Sequence, residues 1–261
     1  MKKGHRPLLL CLGYHSRVEI PHTLRLSPFL RKSKGLLHGL KGITNNSFKR
    51  LVGLLNGLEG SSVVDVGANI GQFGLDLRSH GFGGHIFSFE PVAESFEILG
   101  STSRKNKPWS AYRLGLGSRS CKLNINVSGN AGLSSSFLDM NTIHLEHFPK
   151  SNTVKVEEVQ ISTLDIQVKQ LNLNPRLLVL KIDVQGFEFE VLQGARNALH
   201  YIPYCFLEIS LIPMYKVEAS LLDLLSYLST CDHEVIDVFR GTMAGNGDLL
   251  QIDVLTKNRN S

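Results

Sequence analysis

The sequence predicts an α/β domain built on a mostly parallel, doubly wound sheet, with an inserted β-rich segment. Three observations carry this prediction. From about residue 46 to 255, short apolar runs alternate with helical spacing, the rhythm of βαβ units. The run Val63-Val64-Asp65-Val66 is apolar on both faces, as a strand is when helices cover both sides of a parallel sheet. That run ends in an acid and a glycine turn, and the next, Phe87-Ser88-Phe89-Glu90, also ends in an acid. Ligands of open α/β sheets bind outside such strand ends.

The elements follow in order. Phe48, Leu51, Val52, Leu55 and Leu58 recur at helical spacing, with Gly57 and Gly60 available to stop the helix. A strand at 62 to 66, a helix at about 71 to 80, a strand at 85 to 89, a helix at about 92 to 99 and a strand at 111 to 116 come next. Residues 117 to 165 break the rhythm, with polar clusters and short strand-like pieces at 121 to 127 and 154 to 161. They read as an insertion beside the site. A strand at 177 to 183, a helix at 186 to 199, a strand at 204 to 209, a helix at 217 to 229 and strands at 234 to 239 and 249 to 255 complete the domain.

With 261 residues and 42% hydrophobic content, the chain has material for one sizeable domain and a short extension, not for a second full catalytic domain. Charge is uneven beneath the formal total of +5: residues 1 to 50 hold eleven Lys/Arg against Glu19 alone. Residues 1 to 45 therefore read as a basic N-terminal extension and residues 46 to 261 as the domain. Such a leader suits an anionic membrane surface, a phosphorylated substrate or nucleic acid, and equally a solvated extension. Its run Leu8-Leu9-Leu10-Cys11-Leu12 imitates a signal peptide, but His15, Arg17 and Glu19 end it early. The four cysteines, Cys11, Cys121, Cys205 and Cys231, are widely spaced, with no C-x-x-C and no zinc-like cluster. The expected location is cytoplasmic, with the leader able to place the protein at the periphery of a membrane. No metal site is expected.

The glycine turn narrows the ligand. A dinucleotide fingerprint would read G-x-G-x-x-G, whereas Asp65-Val66-Gly67-Ala68-Asn69-Ile70-Gly71 reads D-x-G-A-N-x-G. This pattern suits the amino acid portion of S-adenosylmethionine better than a pyrophosphate. Glu90 ends the next strand, where its carboxylate can accept hydrogen bonds from both ribose hydroxyls.

A second cluster lies at Leu177-Leu178-Val179-Leu180-Lys181-Ile182-Asp183-Val184-Gln185-Gly186-Phe187-Glu188. Its strand ends at Asp183, and Phe187, Val191, Ala195 and Leu199 then fall on one helix face. Asp65, Glu90, Asp183 and Glu208 are thus expected to converge from four strand ends on one crevice. Asp183, Glu188 and Glu208 are the candidate general bases, with Asp183 first because its strand end faces that crevice. Structural roles stand beside each of them: a cofactor contact or turn acceptor for Asp183, a helix-start charge for Glu188 and a salt bridge for Glu208.

DVGANIGQFG, FEP, LKIDVQGFEFEVLQGA and FLEIS, in this order, resemble the FkbM family of S-adenosylmethionine-dependent methyltransferases. The resemblance runs from roughly Ser61 to Leu255 and includes Pro213-Met214-Tyr215 and Leu250-Gln251-Ile252-Asp253. It implies a Rossmann-like class I methyltransferase fold and O-methylation of a small molecule or glycan. By motif position it implies that Asp65, Gly67, Asn69 and Gly71 surround the methionine portion of the cofactor and that Glu90 holds the ribose. Gln185 stands where many members have Glu. Leu114-Gly115-Leu116-Gly117 is similar to the segment that lies beside the adenine in the family.

Other residues have two readings each. His144 and His147, three apart, face a ligand or metal from one helical turn or sit on the surface, the latter favoured because no acidic partner stands at fitting spacing. Ser134 to Ser136 bind a polyhydroxy substrate or form a solvated turn, and Tyr215 covers the site or packs in the core. Trp109 and Phe87 read as core. Competing functions are a nucleic-acid methyltransferase using the basic leader, although Asp183-Val184-Gln185-Gly186 replaces the Asn/Asp-Pro-Pro-aromatic segment of base-amino methylation, and a non-enzymatic cofactor-binding protein. A nicotinamide-dependent oxidoreductase would need the pyrophosphate loop that is missing here.

Overall fold

The structure, a computed structural model, describes residues 45–261. The basic stretch read from the first 45 residues lies outside these, apart from Asn45. Helix α1 (Asn45–Gly57) leads into strand β1 (Ser62–Val66), followed by α2 (Gln72–Ser79), β2 (His85–Phe89), α3 (Ala93–Lys105) and β3 (Trp109–Tyr112). The inserted segment carries β4 (Gly115–Leu116), β5 (Cys121–Ser128), α4 (Thr142–His147) and β6 (Thr153–Ser162). Then come α5 (Leu164–Gln170), β7 (Leu178–Ile182), α6 (Glu188–Gly194), α7 (Arg196–Leu199), β8 (Tyr204–Ser210), α8 (Leu221–Thr230), β9 (His233–Arg240) and β10 (Gln251–Asn258).

Seven strands form the central sheet in the order β3-β2-β1-β7-β8-β10-β9. The first five are mutually parallel, and β10 runs antiparallel to both β8 and β9. The order reverses at β1, so β2 and β7 flank it and their carboxyl ends open the crevice where ligands of such sheets bind.

Strand alternation sends neighbouring residues to two separate cores. Val64, Val66, Leu178, Leu180, Ile182, Cys205, Leu207 and Val254 pack on one face against Val191, Leu192 and Leu199 of α6 and α7, and Leu224 and Leu228 of α8. Val63, Val179, Phe206 and Leu255 pack on the other against Phe48, Leu51 and Leu55 of α1 and Phe73 and Leu77 of α2. The lead-in helix is therefore part of the second core, as its apolar spacing predicts.

Several boundaries differ from the sequence expectation: the helix expected at about 92 to 99 runs to Lys105, the last strand is Gln251–Asn258 instead of 249 to 255, and three further differences have a local cause. The strand expected at 111 to 116 is two strands: β3 ends at Tyr112, and Gly115-Leu116 leaves for a separate three-stranded sheet, β4-β6-β5, where Gly115 pairs with Ile161. The helix expected from 186 to 199 breaks at Ala195, whose φ of −104° lies off the helical value. The break lets Gly194 approach the neighbouring chain so closely that an added Cβ would sit 1.9 Å from the Gly117 carbonyl oxygen. The helix expected at 217 begins at Leu221, because Ser220 and Asp223 form a reciprocal capping box there. The β-rich character of the insertion holds, with β5 and β6 close to the expected pieces.

Candidate functional site

The site is built at the carboxyl ends of β1, β2, β7 and β8. After β1 the chain turns through Gly67, at φ 75°, where an added Cβ would lie 1.8 Å from the Asp183 carbonyl oxygen. Only glycine lets the two strand ends approach this closely. Gly67 and Ala68 donate their N–H groups to the Phe89 carbonyl, and Gly71 donates to the Ala68 carbonyl. Asn69 has φ 48°, and its Oδ1 accepts from the Ile70 N–H at 2.8 Å. The turn is thus closed on itself before any ligand enters.

Glu90 anchors the second strand end. Its Oε2 accepts from the Asn69 N–H at 2.8 Å and its Oε1 from the Val92 N–H at 2.9 Å. Burial pushes this carboxyl up to about 7, against the opposing effect of those two N–H groups and of Lys181. Each oxygen keeps a further lone pair.

Asp65 does not reach the cavity. It lies buried beneath the turn, with Oδ1 at 3.0 Å from Lys181 Nζ and Oδ2 accepting from the Ser88 hydroxyl at 3.2 Å; Ser88 in turn accepts from the Trp109 indole N–H at 2.9 Å. Lys181 also donates to the Gly67 carbonyl at 3.1 Å and lies 3.6 Å from Asp183 Oδ2. Burial alone would lower the ammonium, but Asp65 and Asp183 outweigh it and hold Lys181 above the ordinary lysine range. Asp65 therefore shapes the floor of the site through Lys181. Lys181 is not among the sequence-predicted site residues; its signal is a lone Lys inside the apolar run Leu178–Ile182.

Gln185, at φ 57°, is the hub of the acidic end. Its amide nitrogen donates to Asp183 Oδ1 at 2.8 Å and to Glu208 Oε2 at 2.9 Å, and its amide oxygen accepts from the Tyr215 hydroxyl at 2.9 Å. Glu208 Oε2 also accepts from the Gln251 amide at 3.0 Å. Burial, with Asp183, Asp253 and Glu188 nearby, holds Glu208 well above the usual carboxylate range. Ser136 donates its hydroxyl to the Gln185 carbonyl at 2.6 Å, so this serine is committed to the turn. Glu188 turns away from the cavity: its Oε1 accepts from the N–H groups of Val184 and Gly186, both at 3.1 Å, and burial raises it to about 7.

A cavity of about 540 Å³ joins these pieces, and Gly67, Asn69, Glu90, Asp183, Gln185 and Glu208 all line it. Of the four acids expected to converge, three face the cavity and Asp65 lies behind Lys181. Gly71 caps α2 just behind the turn, at φ 96°. Gly115 and Leu116 line the same cavity beside Phe89 and Pro91. Ser134, Ser135, His144 and Phe148 of the insertion and Thr242 and Met243 of the β9–β10 connection line it as well. His147 is exposed, whereas His144 is buried. Tyr215 is buried too, so it both packs and bonds to the site.

Among the described residues no group of three or more His, Cys, Asp or Glu side chains is arranged to hold a metal ion, and no helix is long and apolar enough to cross a membrane. Cys121, Cys205 and Cys231 are free.

The strand order with its reversed β10, the glycine turn after β1 and the acid after β2 define a Rossmann-like class I methyltransferase fold. A family model described as "Methyltransferase FkbM domain" matches residues 65–235, more than half of the sequence, and the chain belongs to that family. It is similar to the hexuronic acid methyltransferase AglP of Haloferax volcanii, with 29% identity over 145 residues, 56% of this chain and 54% of that protein. The chain thus matches about half the length of that curated relative. Similar solved structures include Aeropyrum pernix fibrillarin with natively bound S-adenosyl-L-methionine, at 15% identity and a TM-score of 0.42, covering 80% of this chain and 74% of that one. Another is the magnesium protoporphyrin IX methyltransferase of Synechocystis with bound SAM, at 9% identity and a TM-score of 0.42, covering 89% of this chain and 85% of that one.

Proposed function

We propose that this protein transfers a methyl group from S-adenosylmethionine to a hydroxyl oxygen of a glycan or small polyhydroxy molecule. The observation that carries the reading is the joining of Glu90, Asp183 and Glu208 on one cavity beside the glycine turn. The residues fit the cofactor: Asp183 and Glu90 on the cavity suit a cationic ligand, and the remaining lone pairs of Glu90 suit a ribose diol. Asn69 and Gly67 border the methionine end, and Leu116, Phe89 and Pro91 offer an apolar wall for the base. The hexuronic acid specificity of the Haloferax relative supports a sugar as acceptor.

When bound, the cofactor supplies an electrophilic methyl carbon, which bonds to the acceptor oxygen while the carbon–sulfur pair stays on sulfur. Alignment of the two substrates supplies much of the acceleration. Asp183 takes the hydroxyl proton in this proposal. It faces the cavity, while the Gln185 amide fixes its Oδ1 and Lys181 lies beside its Oδ2. Glu208 Oε2 is already taken by the Gln185 and Gln251 amides, and Glu188 is committed to the 184–186 turn. The basic leader adds a proposed attraction to anionic surfaces, which would place the protein at the cytoplasmic side of a membrane.

The test pairs calorimetry of S-adenosylhomocysteine and NAD with mass spectrometry of glycans and metabolites from cells with and without the protein. The expected results are binding of the first ligand only and a product heavier by one CH₂. Binding of NAD alone would overturn the reading.

A further inference from the structure

The walls of the cavity come from two cores. Phe89 and Leu116, the wall assigned to the base of the cofactor, belong to the core that packs on α6 to α8, whereas Phe48 and Phe73 belong to the core built on α1 and α2. The second wall takes no part in holding the cofactor, which leaves it for the acceptor. Its polar groups come from α2. Gln72 and Asp76 stand four apart on one helix face, and both line the cavity. Arg78 leaves in another direction, donating to the carbonyls of Phe82, Gly84 and Pro108. Gln72 donates its amide to Asn69 Oδ1 at 3.3 Å, so this face is continuous with the glycine turn.

Asp76 is half-buried, and its carboxylate accepts no hydrogen bond among the described residues. Neither oxygen is sealed in, so a guest can reach both. Burial raises this carboxyl from its ordinary value, with His80 acting against it. A carboxylate that has lost part of its water and found no donor gains from O–H groups brought by a guest.

The charges around the cavity favour one kind of guest. Asp76, Glu90, Asp183 and Glu208 line it, and among the described residues Lys181 is the sole lysine or arginine that does. That ammonium is occupied by Asp65 at 3.0 Å, the Gly67 carbonyl at 3.1 Å and Asp183 at 3.6 Å. A guest carboxylate or phosphate would meet no free cation on these walls and would face Asp76 as a like charge, the arrangement by which binding sites reject wrong partners.

We propose that Asp76 is a specificity-determining residue for the acceptor, accepting hydrogen bonds from its hydroxyls and excluding acids, so that the unit methylated is an uncharged polyhydroxy one. The proposal rests on the methyltransferase reading above and narrows its acceptor class.

Glycans and small metabolites extracted from cells lacking the protein are incubated with the 261-residue chain and S-adenosylmethionine labelled in its methyl group. The labelled products are hydrolysed to their monomer units and passed over an anion exchanger. Label should run through with the neutral units. Label retained with the acidic units overturns this inference alone, and absence of label removes the methyltransferase reading and the inference with it. Asp76→Asn should raise the amount of extract needed for half-maximal labelling about tenfold while changing the maximal rate by less than about threefold, and Asp76→Glu, which keeps the charge, should recover part of the loss. Both variants should bind S-adenosylhomocysteine within about twofold of wild type, since the cofactor lies against the other wall. An unchanged half-maximal amount for Asp76→Asn overturns the role of Asp76. Loss of folding or of cofactor binding in both variants overturns it in favour of a structural part in α2.

Discussion

Lys181 Nζ lies 3.0 Å from Asp65 Oδ1 across two paired strands, and both side chains are buried. Through the Gly67 carbonyl and Asp183, the same ammonium ties the glycine turn to the acidic end of the cavity. Removing one partner leaves the other charge buried and unpaired, so Asp65→Asn or Lys181→Met should destabilise the domain by about 3 to 5 kcal/mol. The double variant Asp65→Leu/Lys181→Met should recover much of that loss. Urea unfolding of the four proteins checks both statements, and single variants indistinguishable from wild type would contradict the role given to the pair.

Glu90→Ala should weaken S-adenosylhomocysteine binding at least about tenfold, since charge-assisted hydrogen bonds contribute about 1.5 to 3 kcal/mol each. Calorimetry measures it, with far-UV circular dichroism showing that the variant is folded. Unchanged affinity would place the ribose elsewhere.

Burial raises Glu90, Glu188 and Asp253 to about 7. Between their ordinary acidic values and 7 the unfolded chain ionises first, so the folded chain binds more protons and stability falls as pH rises through that window. Above it both states are ionised and the loss is complete. A cationic ligand favours ionised Glu90, so cofactor affinity should increase over the same range, with proton release on binding below about pH 7. Melting curves across the range and calorimetry in buffers of different ionisation enthalpy report the two trends, which run in opposite directions.

Gln185→Gly removes the amide while accommodating the positive φ at that position. Asp183 and Glu208 lose their shared donor, so kcat should fall about tenfold or more while cofactor affinity changes by less than about threefold. Equal kcat would show that the amide does not position Asp183.

Removing residues 1 to 44 should leave S-adenosylhomocysteine affinity unchanged and reduce sedimentation with anionic vesicles. High salt should abolish the difference, because exposed charges are screened over about 8 Å at physiological ionic strength. Equal sedimentation of both forms at low salt would remove the membrane role.

Much of this fold was legible because burial on both faces writes strands as apolar runs. Val63–Val66 and Leu178–Ile182 could be read directly, each apolar but for one charged residue, Asp65 and Lys181, and Asp183 marked the end of the second. The split after Tyr112 was not legible, since Gly115-Leu116 is apolar like a strand continuation and its departure depends on pairing with Ile161, far along the chain. For the same reason His144 looked like half of a surface pair. Its burial comes from Tyr215, which no local spacing brings near it. The roles of Glu188 and Asp65 were hidden in another way: a carboxylate at a strand end or helix start has the same letter whether it faces a ligand or its own backbone.

The two glutamine amides on Glu208 give that carboxyl a direction. Both donate to Oε2, from Gln185 and from Gln251, so when Glu208 holds its proton the hydrogen belongs on Oε1. One oxygen is thereby reserved as a carbonyl and the other made a hydroxyl. An acid at the end of a strand then behaves like a serine or tyrosine placed in the cavity wall, offering an O–H to a guest, and it keeps that polarity for as long as both amides remain in place.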